Sequence, residues 1–282
     1  MTTGLGEGPG KARFVRGMFT RIAERYDLMN SLMTFGMHHS WRRAAARETI
    51  ASPEGPGLDL ATGTGDLAFE LCEIHRHRLI VGADFAHGML QVAEAKGREV
   101  ESAGRLSLLE ADALELPFES RTFAFVTSAF LLRNLADLKQ GLAEMRRVLR
   151  PGGRVVALEI TQADIPGWAP LFRMYFHHVV PRIGALVGGD REAYTYLPQS
   201  VDRFLGPPAL AALMTDVGLR GVKYRRLGFG TVTIHTGVAW LPLPLRTGES
   251  LSPLGRGPQF ELKGEALRRG LSRSGENKRP RG

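Results

Sequence analysis

A strand, a glycine-rich loop and a helix are predicted by one stretch, Gly57-Leu58-Asp59-Leu60-Ala61-Thr62-Gly63-Thr64-Gly65-Asp66-Leu67. The apolar run ends at the loop, and a helical pattern follows directly from Asp66. Gly63 and Gly65 have no Cβ atom, so the chain can turn sharply there and a ligand can approach the backbone. The helix adds free N–H groups and the positive end of its dipole, which is typical of a site for a nucleotide-like ligand.

Two classes of ligand compete for this loop. Gly63-x-Gly65-x-x-Ala68 satisfies the dinucleotide fingerprint, and Asp84 lies about 20 residues further on, where a ribose-binding carboxylate belongs. However, Asp59 lies inside the strand and Asp66 follows the second glycine, so a pyrophosphate would meet negative charge. A cationic sulfonium with an amino-acid tail tolerates these carboxylates, so the loop favours S-adenosylmethionine over NAD.

The composition is that of an ordinary globular protein, with 43% hydrophobic and 23% charged residues among 282. A single cysteine, Cys72, excludes an internal disulfide and fits a reducing cytosol. No apolar run reaches the roughly 18 residues that a spanning helix needs. Much of the net charge of +8 lies in residues 246–282, which contain nine Lys or Arg and four Glu. We therefore expect a cytoplasmic protein whose basic tail permits peripheral contact with the inner face of a membrane.

Strands and helices alternate after the glycine loop. Strands are predicted at residues 58–61, 79–84, 106–111, 123–129 and 154–160, and helices at 87–103 and 135–149. This spacing predicts an α/β protein with a doubly wound, mostly parallel sheet whose ligand lies at the carboxyl ends of the strands. Two further strands, 222–227 and 231–238, predict a closing antiparallel hairpin and a total of seven strands.

Four regions are predicted along the chain. They are a flexible lead at 1–12, N-terminal helices at 13–52, the α/β domain at 53–240 and a basic disordered tail at 241–282. Helices that precede the first strand commonly form a lid over such a site, and we expect the same of residues 13–52.

Several separate blocks resemble the ubiquinone/menaquinone biosynthesis C-methyltransferases. Tyr26-Asp27-Leu28-Met29-Asn30 and Tyr196-Leu197-Pro198 are the most specific, and Leu132-Arg133-Asn134 matches as well. Asp59-x-Ala61-x-Gly63-x-Gly65 resembles the first motif of S-adenosylmethionine methyltransferases, with Ala61 in place of the usual first glycine. The resemblance implies a Rossmann-like methyltransferase domain at 53–240. It also implies methyl transfer from S-adenosylmethionine to a ring carbon of a polyprenyl quinol substrate.

One departure from the family pattern concerns the floor of the site. Ala129-Phe130-Leu131 stands where the family usually has Ser-Phe-Gly, so a hydroxyl is missing and a larger side chain replaces glycine. The choice between a benzoquinol and a naphthoquinol ring is therefore left open, with demethylmenaquinol favoured.

Polar groups at the strand ends are candidates for cofactor binding. Asp84 can accept both ribose hydroxyls, although it could instead cap the next helix. The resemblance places the adenine amino group at Asp112, which otherwise would be a solvated loop residue, and a ring nitrogen at the Ala113 N–H. Thr64 is expected at the methionine end, and Asp59 is expected to order the loop from below, through water, without touching the cofactor directly. The full predicted set is Asp59, Gly63, Thr64, Gly65, Asp84, Asp112, Ala113 and Ala129.

Arg133 and Asn134 are the catalytic candidates. Attack of a ring carbon on a sulfonium needs an electron-rich, phenolate-like ring held in line and away from water. Arg133 stays protonated, so it would stabilise the phenolate or hold a water that carries the proton. Asn134 would fix the other oxygen. The alternative for Arg133 is a salt bridge at a helix start.

Tyr26, His38 and Tyr196 are the candidates for substrate contact. Tyr26 could equally belong to the core of the lid. His38 has an ordinary pKa near neutrality and could act as a general base, although a single histidine at a helix start is more often structural. No His/Cys cluster has metal-ligand spacing, so we expect no metal.

Rival functions fit the same residues less well. The pI of about 10 suggests a nucleic-acid methyltransferase. Amine methylation on bases usually uses an Asn/Asp-Pro-Pro-aromatic block after strand four, where this chain has residues 129–133, and Cys72 is misplaced for cytosine-carbon methylation. An NAD-dependent oxidoreductase and a non-enzymatic binding protein are weaker rivals, and methylation of another small hydrophobic molecule is the closest. We expect no nucleic-acid partner and leave a homodimer open.

Overall fold

The computed structural model describes residues 9–100, 104–163, 166–188 and 190–240. Contacts divide the chain into Met1–Leu241 and Pro242–Gly282. The predicted basic tail at 241–282 lies outside the described residues, as do the first eight residues of the predicted lead.

The described strands form one seven-stranded sheet with the order β3-β2-β1-β4-β5-β7-β6. The strands are β1 Gly57–Leu60, β2 Ile80–Asp84, β3 Leu106–Glu110, β4 Phe123–Ala129, β5 Leu149–Ile160, β6 Leu219–Leu227 and β7 Val232–Ala239. The first five pair in parallel, whereas β7 runs antiparallel to both β5 and β6. The predicted doubly wound sheet with an antiparallel C-terminal hairpin is therefore confirmed.

The helices pack on both faces of this sheet and at its carboxyl edge. They are α1 Pro9–Ile22, α2 Tyr26–Thr34, α3 Met37–Arg47, α4 Asp66–Ile74, α5 His87–Gly97, α6 Leu138–Val148, α7 Trp168–Met174, α8 Val180–Ile183, α9 Arg191–Asp202 and α10 Pro207–Asp216. Wider turns at 175–179 and 184–188 flank α8. Among the described residues, no helix is long and apolar enough to cross a membrane.

Successive side chains of the central strands point to opposite faces of the sheet and so belong to different buried clusters. Phe125 and Val156 belong to the buried cluster that α3 and α4 cover, whereas Val126 and Val155 belong to the cluster that α6 and α10 cover. A third cluster joins α1 and α2 to α5 and α9. This third cluster holds the N-terminal helices over the carboxyl ends of β1 and β2.

Some element bounds differ from the predicted ones. Helix α1 begins at Pro9, four residues before the expected boundary. Strand β5 begins at Leu149 because Leu149 pairs with Phe123 before the register shifts. Helix α6 begins only at Leu138, since the 3₁₀ turn Leu132–Asn134 precedes it.

Candidate active site

The glycine loop between β1 and α4 is left-handed at three residues. Ala61, Gly63 and Gly65 have φ angles of 54°, 58° and 88°. A Cβ atom at Gly65 would lie 2.8 Å from the ring of Phe69, so only glycine fits there. A side chain in the left-handed conformation costs about 1 kcal/mol. Ala61 bears that cost, which explains in physical terms why the motif usually has glycine at this position.

A narrow cavity of about 70 Å³ lies beside this loop. We call it the loop cavity, and its walls include Gly63, Asp84, Asp112, Ala113 and Ala129. The fold thus brings five of the eight predicted cofactor residues to one place. All five lie at or directly after the carboxyl ends of β1 to β4, where a ligand of a doubly wound sheet binds.

Asp84 is tied to the glycine loop. Its Oδ2 accepts a hydrogen bond from the Gly63 N–H at 2.8 Å, and its Oδ1 accepts one from the Ala86 N–H at 2.8 Å. Burial raises the pKa of Asp84 to about 6. Asp112 is fixed in a similar way, because its Oδ1 accepts from the Leu114 N–H at 2.9 Å. Each carboxylate oxygen can accept more than one hydrogen bond, so both side chains retain capacity for a ligand.

Asp59 lies beneath the loop and is not among the residues that line the loop cavity. Its two oxygens accept hydrogen bonds from the hydroxyls of Thr62, at 2.8 Å, and Thr127, at 2.7 Å. Burial raises the pKa of Asp59 to about 6. The carboxylate therefore connects the loop to β4 by direct hydrogen bonds.

Thr64 faces the lid. Its hydroxyl donates to Asp27 of α2 at 2.6 Å. Lys96 of α5 donates to Asp27 at 2.8 Å and to Asp66 at 2.5 Å, and Arg42 of α3 lies 3.6 Å from Asp66. Cations of α3 and α5 therefore bind the start of α4. The loop and the N-terminal helices form one connected polar network.

Arg133 lies on the 3₁₀ turn after β4 and makes a buried ion pair with Glu159 of β5. Its Nη1 donates to Glu159 Oε2 at 3.0 Å and to the Phe130 carbonyl at 2.6 Å. Glu159 Oε1 also accepts from the Leu132 N–H at 2.5 Å. Burial raises the pKa of Glu159, and the Arg133 cation opposes that rise. The salt bridge that the sequence left as an alternative is therefore present.

A larger cavity of about 440 Å³ adjoins the loop cavity. We call it the aromatic cavity, and Phe19, Tyr26, Phe130 and Asn134 line both cavities. The predicted substrate residues Tyr26, His38 and Tyr196 all line the aromatic cavity, together with Arg133. Among the described residues, no Asp or Glu contributes to its wall.

Asn134 is held at the junction of the two cavities. Its Nδ2 donates to the Phe130 carbonyl at 3.0 Å, and its Oδ1 accepts from the Tyr196 hydroxyl at 3.2 Å. Phe130 has a φ angle of 65°, and its ring centre lies 5.8 Å from the guanidinium of Arg133. The residue between the cavities is thus a phenylalanine in a left-handed turn.

His38 is buried, and both of its ring nitrogens are engaged. Arg42 Nη1 can only donate, so it donates to His38 Nδ1, and His38 Nε2 then donates to Ser31 Oγ at 3.1 Å. Burial, followed by the Arg42 charge, lowers the pKa of His38 to about 4. The ring is therefore neutral at pH 7, and its one acceptor nitrogen is occupied.

One group of side chains has the types and the spacing of metal ligands. His38, His39 and Asp66 each place one ligand atom within 4.8 Å of the others. The cations of Arg42 and Lys96 already bind Asp66, and Arg42 also occupies His38 Nδ1. This donor set fits an internal ion-pair network better than a metal ion.

The family model of the ubiE/COQ5 methyltransferase family matches residues 8–239. The chain belongs to this family. Its curated relatives include demethylmenaquinone methyltransferases from Deinococcus radiodurans, 47% identical over 83% of this chain and 95% of the relative, and from Thermus thermophilus, 46% identical over 78% and 99%. The resemblance found in the sequence is therefore confirmed. Membership of this methyltransferase family implies use of S-adenosylmethionine, which decides the ligand class against NAD.

Solved structures agree with this family's fold. An S-adenosylmethionine-dependent methyltransferase from Thermotoga maritima has a TM-score of 0.57 at 18% identity, covering 79% of this chain and 98% of that one. A second, from Aquifex aeolicus, has a TM-score of 0.53 at 15% identity, covering 77% and 97%. At these identities the likeness concerns the fold alone.

Three residues of this ubiE/COQ5 family site were missed in the sequence: Asp27, Lys96 and Glu159. Glu159 follows the apolar run Val155-Val156-Ala157-Leu158, one residue before β5 ends. A carboxylate at the carboxyl end of a buried strand is a signal that could have been used, since Asp84 was found by the same reasoning. Lys96 lies on an ordinary helix face, and its partners are 30 or more residues away.

The raised pKa of Asp59 predicts how stability depends on pH. The folded carboxyl binds its proton more tightly than the unfolded one, whose pKa is about 3.9. Protonation of Asp59 therefore stabilises the folded state. This stabilisation is complete below pH ~4 and is lost as pH rises through about 6. We expect the free energy of unfolding of the wild type, relative to Asp59→Asn, to fall by about 2 kcal/mol between pH ~4.5 and ~7.5. Urea denaturation at the two pH values measures this, and a difference that does not vary with pH would show that Asp59 is not desolvated.

Proposed function

We propose that this protein transfers a methyl group from S-adenosylmethionine to a ring carbon of a polyprenylated quinol. The observation that carries this proposal is the shared wall of the two cavities at Tyr26, Phe130 and Asn134. One cavity carries the glycine loop and the carboxylates of Asp84 and Asp112. The other is aromatic, has no acidic lining residue among those described, and contains Arg133.

A naphthoquinol is the favoured ring. The relatives from Deinococcus radiodurans and Thermus thermophilus are both named demethylmenaquinone methyltransferase, and this chain covers nearly their whole length. Ala129 and Leu131 replace the usual serine and glycine of the family. The lining of the loop cavity includes both residues, so they bear on the pocket floor.

The chemistry of the loop cavity fits S-adenosylmethionine. In this proposal Asp84 accepts the ribose hydroxyls, Asp112 accepts the adenine amino group, and the Ala113 N–H donates to a ring nitrogen. Gly63 and Gly65 let the ligand approach the backbone, while Asp59 and Thr64 act through the loop. The loop cavity is small, at about 70 Å³, and Ala12, Val15 and Phe19 of α1 form part of its wall.

Arg133 would favour the phenolate form of the acceptor. Bound S-adenosylmethionine supplies an electrophilic methyl group. Glu159 and the Phe130 carbonyl hold Nη1, which fixes the plane of the guanidinium. Nε is buried without a hydrogen-bond partner among the described residues, and Arg133 lines the aromatic cavity. The ion pair and the proposed catalytic role of Arg133 are therefore compatible. The bonds at Nη1 hold the guanidinium in position, and Nε remains available to the acceptor.

The remaining predicted residues take supporting roles in this proposal. Tyr196 holds Asn134 by its hydroxyl, and Tyr26 contributes to both cavities. Since His38 is neutral and its acceptor nitrogen is bound to Arg42, we assign it to the cavity wall and not to a general base.

We also propose that the mouth of the aromatic cavity contacts the membrane that holds the quinol. Phe35, Leu171, Met174 and Phe229 line the cavity and yet are 80%, 51%, 54% and 71% exposed. We call these four residues the apolar rim. Within 166–188, the described segment that carries two of them, Arg and His occur but no Asp or Glu. An exposed apolar surface with basic neighbours fits an anionic lipid bilayer.

The assignment of Asp84 predicts a loss of cofactor affinity. Asp84→Asn keeps an acceptor for the Gly63 N–H but removes the charge that strengthens hydrogen bonds to the ribose. Hydrogen bonds to a charged group are worth about 1.5–3 kcal/mol, so S-adenosylmethionine should bind about 10- to 150-fold more weakly in calorimetry. Asp216→Asn, an exposed change at the end of α10, is the matched control. Unchanged affinity in Asp84→Asn would remove the ribose assignment.

The chemistry predicts that only the reduced ring is methylated. A quinol is electron-rich and a quinone is not, so methyl transfer to a short-chain naphthoquinol should stop when reductant is omitted. Removing Arg133 alone would leave Glu159 buried without a partner, at a cost of about 3–5 kcal/mol. The double variant Arg133→Met/Glu159→Gln avoids this and should be slower by about 10² to 10³ in single turnover, with cofactor affinity unchanged.

Glu159→Gln alone is the control for that experiment, because it carries the same change at residue 159 but keeps the guanidinium, so the difference between the two variants reports on Arg133. Turnover on the oxidised quinone would refute the chemistry. A double variant as fast as the control would leave the chemistry in place and take the phenolate role away from Arg133.

The apolar rim predicts membrane binding that does not depend on the basic tail. In roughly 0.5 M salt the electrostatic attraction of the tail is screened, so vesicle binding should depend on the rim. Phe35→Asn/Phe229→Asn should weaken co-sedimentation at least about tenfold, since each buried phenylalanine contributes about 1.5–3 kcal/mol. Ile50→Asn, which removes an exposed apolar residue elsewhere, should bind as the wild type does. Unchanged vesicle binding would refute the proposal, and a change in oligomeric state would identify a second copy as the occupant.

A further inference from the structure

Four residues that line the aromatic cavity each have a buried donor atom without a hydrogen-bond partner among the described residues. These atoms are Asn30 Nδ2, Arg133 Nε, Trp168 Nε1 and the Tyr194 hydroxyl. A buried polar group without a partner costs about 1–3 kcal/mol, so each such group calls for an explanation. Because all four residues line one cavity, a common explanation is a ligand in that cavity that accepts hydrogen bonds from these atoms.

The chemistry of these atoms restricts that ligand. Indole and guanidinium nitrogens donate hydrogen bonds but do not accept them, and an amide nitrogen does the same. The described lining contains no carboxylate that could pair with a cationic amine, while Arg133 supplies a positive charge. The ligand must therefore bring oxygen acceptors on an otherwise apolar body.

Asn30 of α2 and Tyr194 of α9 line the cavity on one side, which we call the lid wall. Asn30 lies on α2 one helical turn after Tyr26, so the two side chains share a face. Met29 and Met33, beside Asn30, belong to the same apolar cluster as Tyr194 of α9. Arg133 lies on the opposite element, the turn that follows β4 of the sheet. The donors thus come from the lid wall and from the turn after β4.

Tyr194 is fixed in place before any ligand arrives. It is only 3% exposed, and a Cβ atom at residue 184 would lie 2.2 Å from its ring, so Gly184 makes room for it. Burial raises the pKa of Tyr194, so the hydroxyl stays protonated and can donate at neutral pH. A rigid donor of this kind is what recognition of one oxygen position requires.

We propose that Asn30 and Tyr194 are specificity-determining residues that donate hydrogen bonds to the ring oxygen of the acceptor that is not held by Arg133. The inference rests on the proposed function, since it names the oxygen contacts within the same site. An acceptor with two ring oxygens engages both the lid and the sheet, whereas an acceptor with one oxygen engages the sheet alone. The cavity therefore distinguishes a quinol from a simple phenol by its lid wall.

Two acceptors and one isosteric change test this. The acceptors are a short-chain naphthoquinol and its analogue without the second hydroxyl, kept under reductant. Tyr194→Phe should lower kcat/KM for the quinol about five- to tenfold, the value of one neutral hydrogen bond, and should leave the one-oxygen analogue unchanged. Asn30→Leu should show the same selective loss. The melting temperature of Tyr194→Phe should not fall, because the change removes an unpaired buried hydroxyl.

Tyr175→Phe is the matched control. Tyr175 also lines the cavity, but its hydroxyl donates to the Met33 carbonyl at 2.9 Å, so its loss should affect both acceptors equally. Equal losses on both acceptors in Tyr194→Phe would mean a structural role and would overturn the inference, as would no loss on either.

Binding of the two compounds, measured by calorimetry on the full chain, separates this inference from the proposed function. If the wild type methylates neither compound, the proposed function fails, but the ratio of the two affinities in the wild type and in Tyr194→Phe still decides the oxygen contact. If neither compound binds to the wild type, the inference fails as well.

Discussion

The buried pair of Arg133 and Glu159 connects the parts of the site. One carboxylate oxygen of Glu159 accepts a hydrogen bond from the Arg133 guanidinium, and the other accepts one from the Leu132 N–H. These bonds anchor the turn after β4 to β5. That turn carries Phe130 and Asn134, which separate the two cavities. An ion pair this deeply buried is costly to desolvate and contributes little net stability, so its value lies in fixing a geometry. The ion pair therefore helps to fix the shape of both the loop cavity and the aromatic cavity.

The N-terminal helices depend on the same region. Lys11 of α1 donates to the carbonyls of Arg133 and Leu135, at 3.1 and 2.7 Å, and so connects α1 to the turn after β4. On the other side, Asp27 connects α2 to Thr64 of the glycine loop. The N-terminal helices are therefore tied both to the glycine loop and to the turn that carries Arg133. In the proposed function, this double attachment suits them to exclude water once both cavities are filled.

The features that were predicted best from the sequence are those that depend on residues close together in the chain. The glycine loop, the alternating strands and Asp84 all follow from patterns within a few positions, because strand and helix periods are local. The pairing of Arg133 with Glu159 spans 26 residues and that of Lys96 with Asp27 spans 69. Such partners are brought together only by the order of strands in the sheet and by the packing of the lid. Local periodicity does not encode that order, so the ion pair could be stated only as an alternative.

The late start of α6 and the early start of β5 have the same origin. Hydrophobic pattern marks where apolar residues lie, but hydrogen bonds to distant chain segments decide where an element begins. Leu149 is counted in β5 because Phe123 pairs with it, and Leu132–Asn134 is held as a separate turn because Glu159 caps it. Element bounds next to the site were therefore the least predictable from sequence.

Three phenylalanines around the aromatic cavity, Phe35, Phe130 and Phe229, have left-handed backbones. Glycine or asparagine would adopt that conformation at lower cost, so random drift at these positions should run toward those residues. An aromatic ring persists there only while the ring itself is needed. A relative with glycine at the positions of Phe35 and Phe229 would fold at least as easily but would lack the apolar mouth. If the proposed membrane contact holds, the residues at these two turns distinguish family members that take the acceptor from the bilayer from those that take it from water.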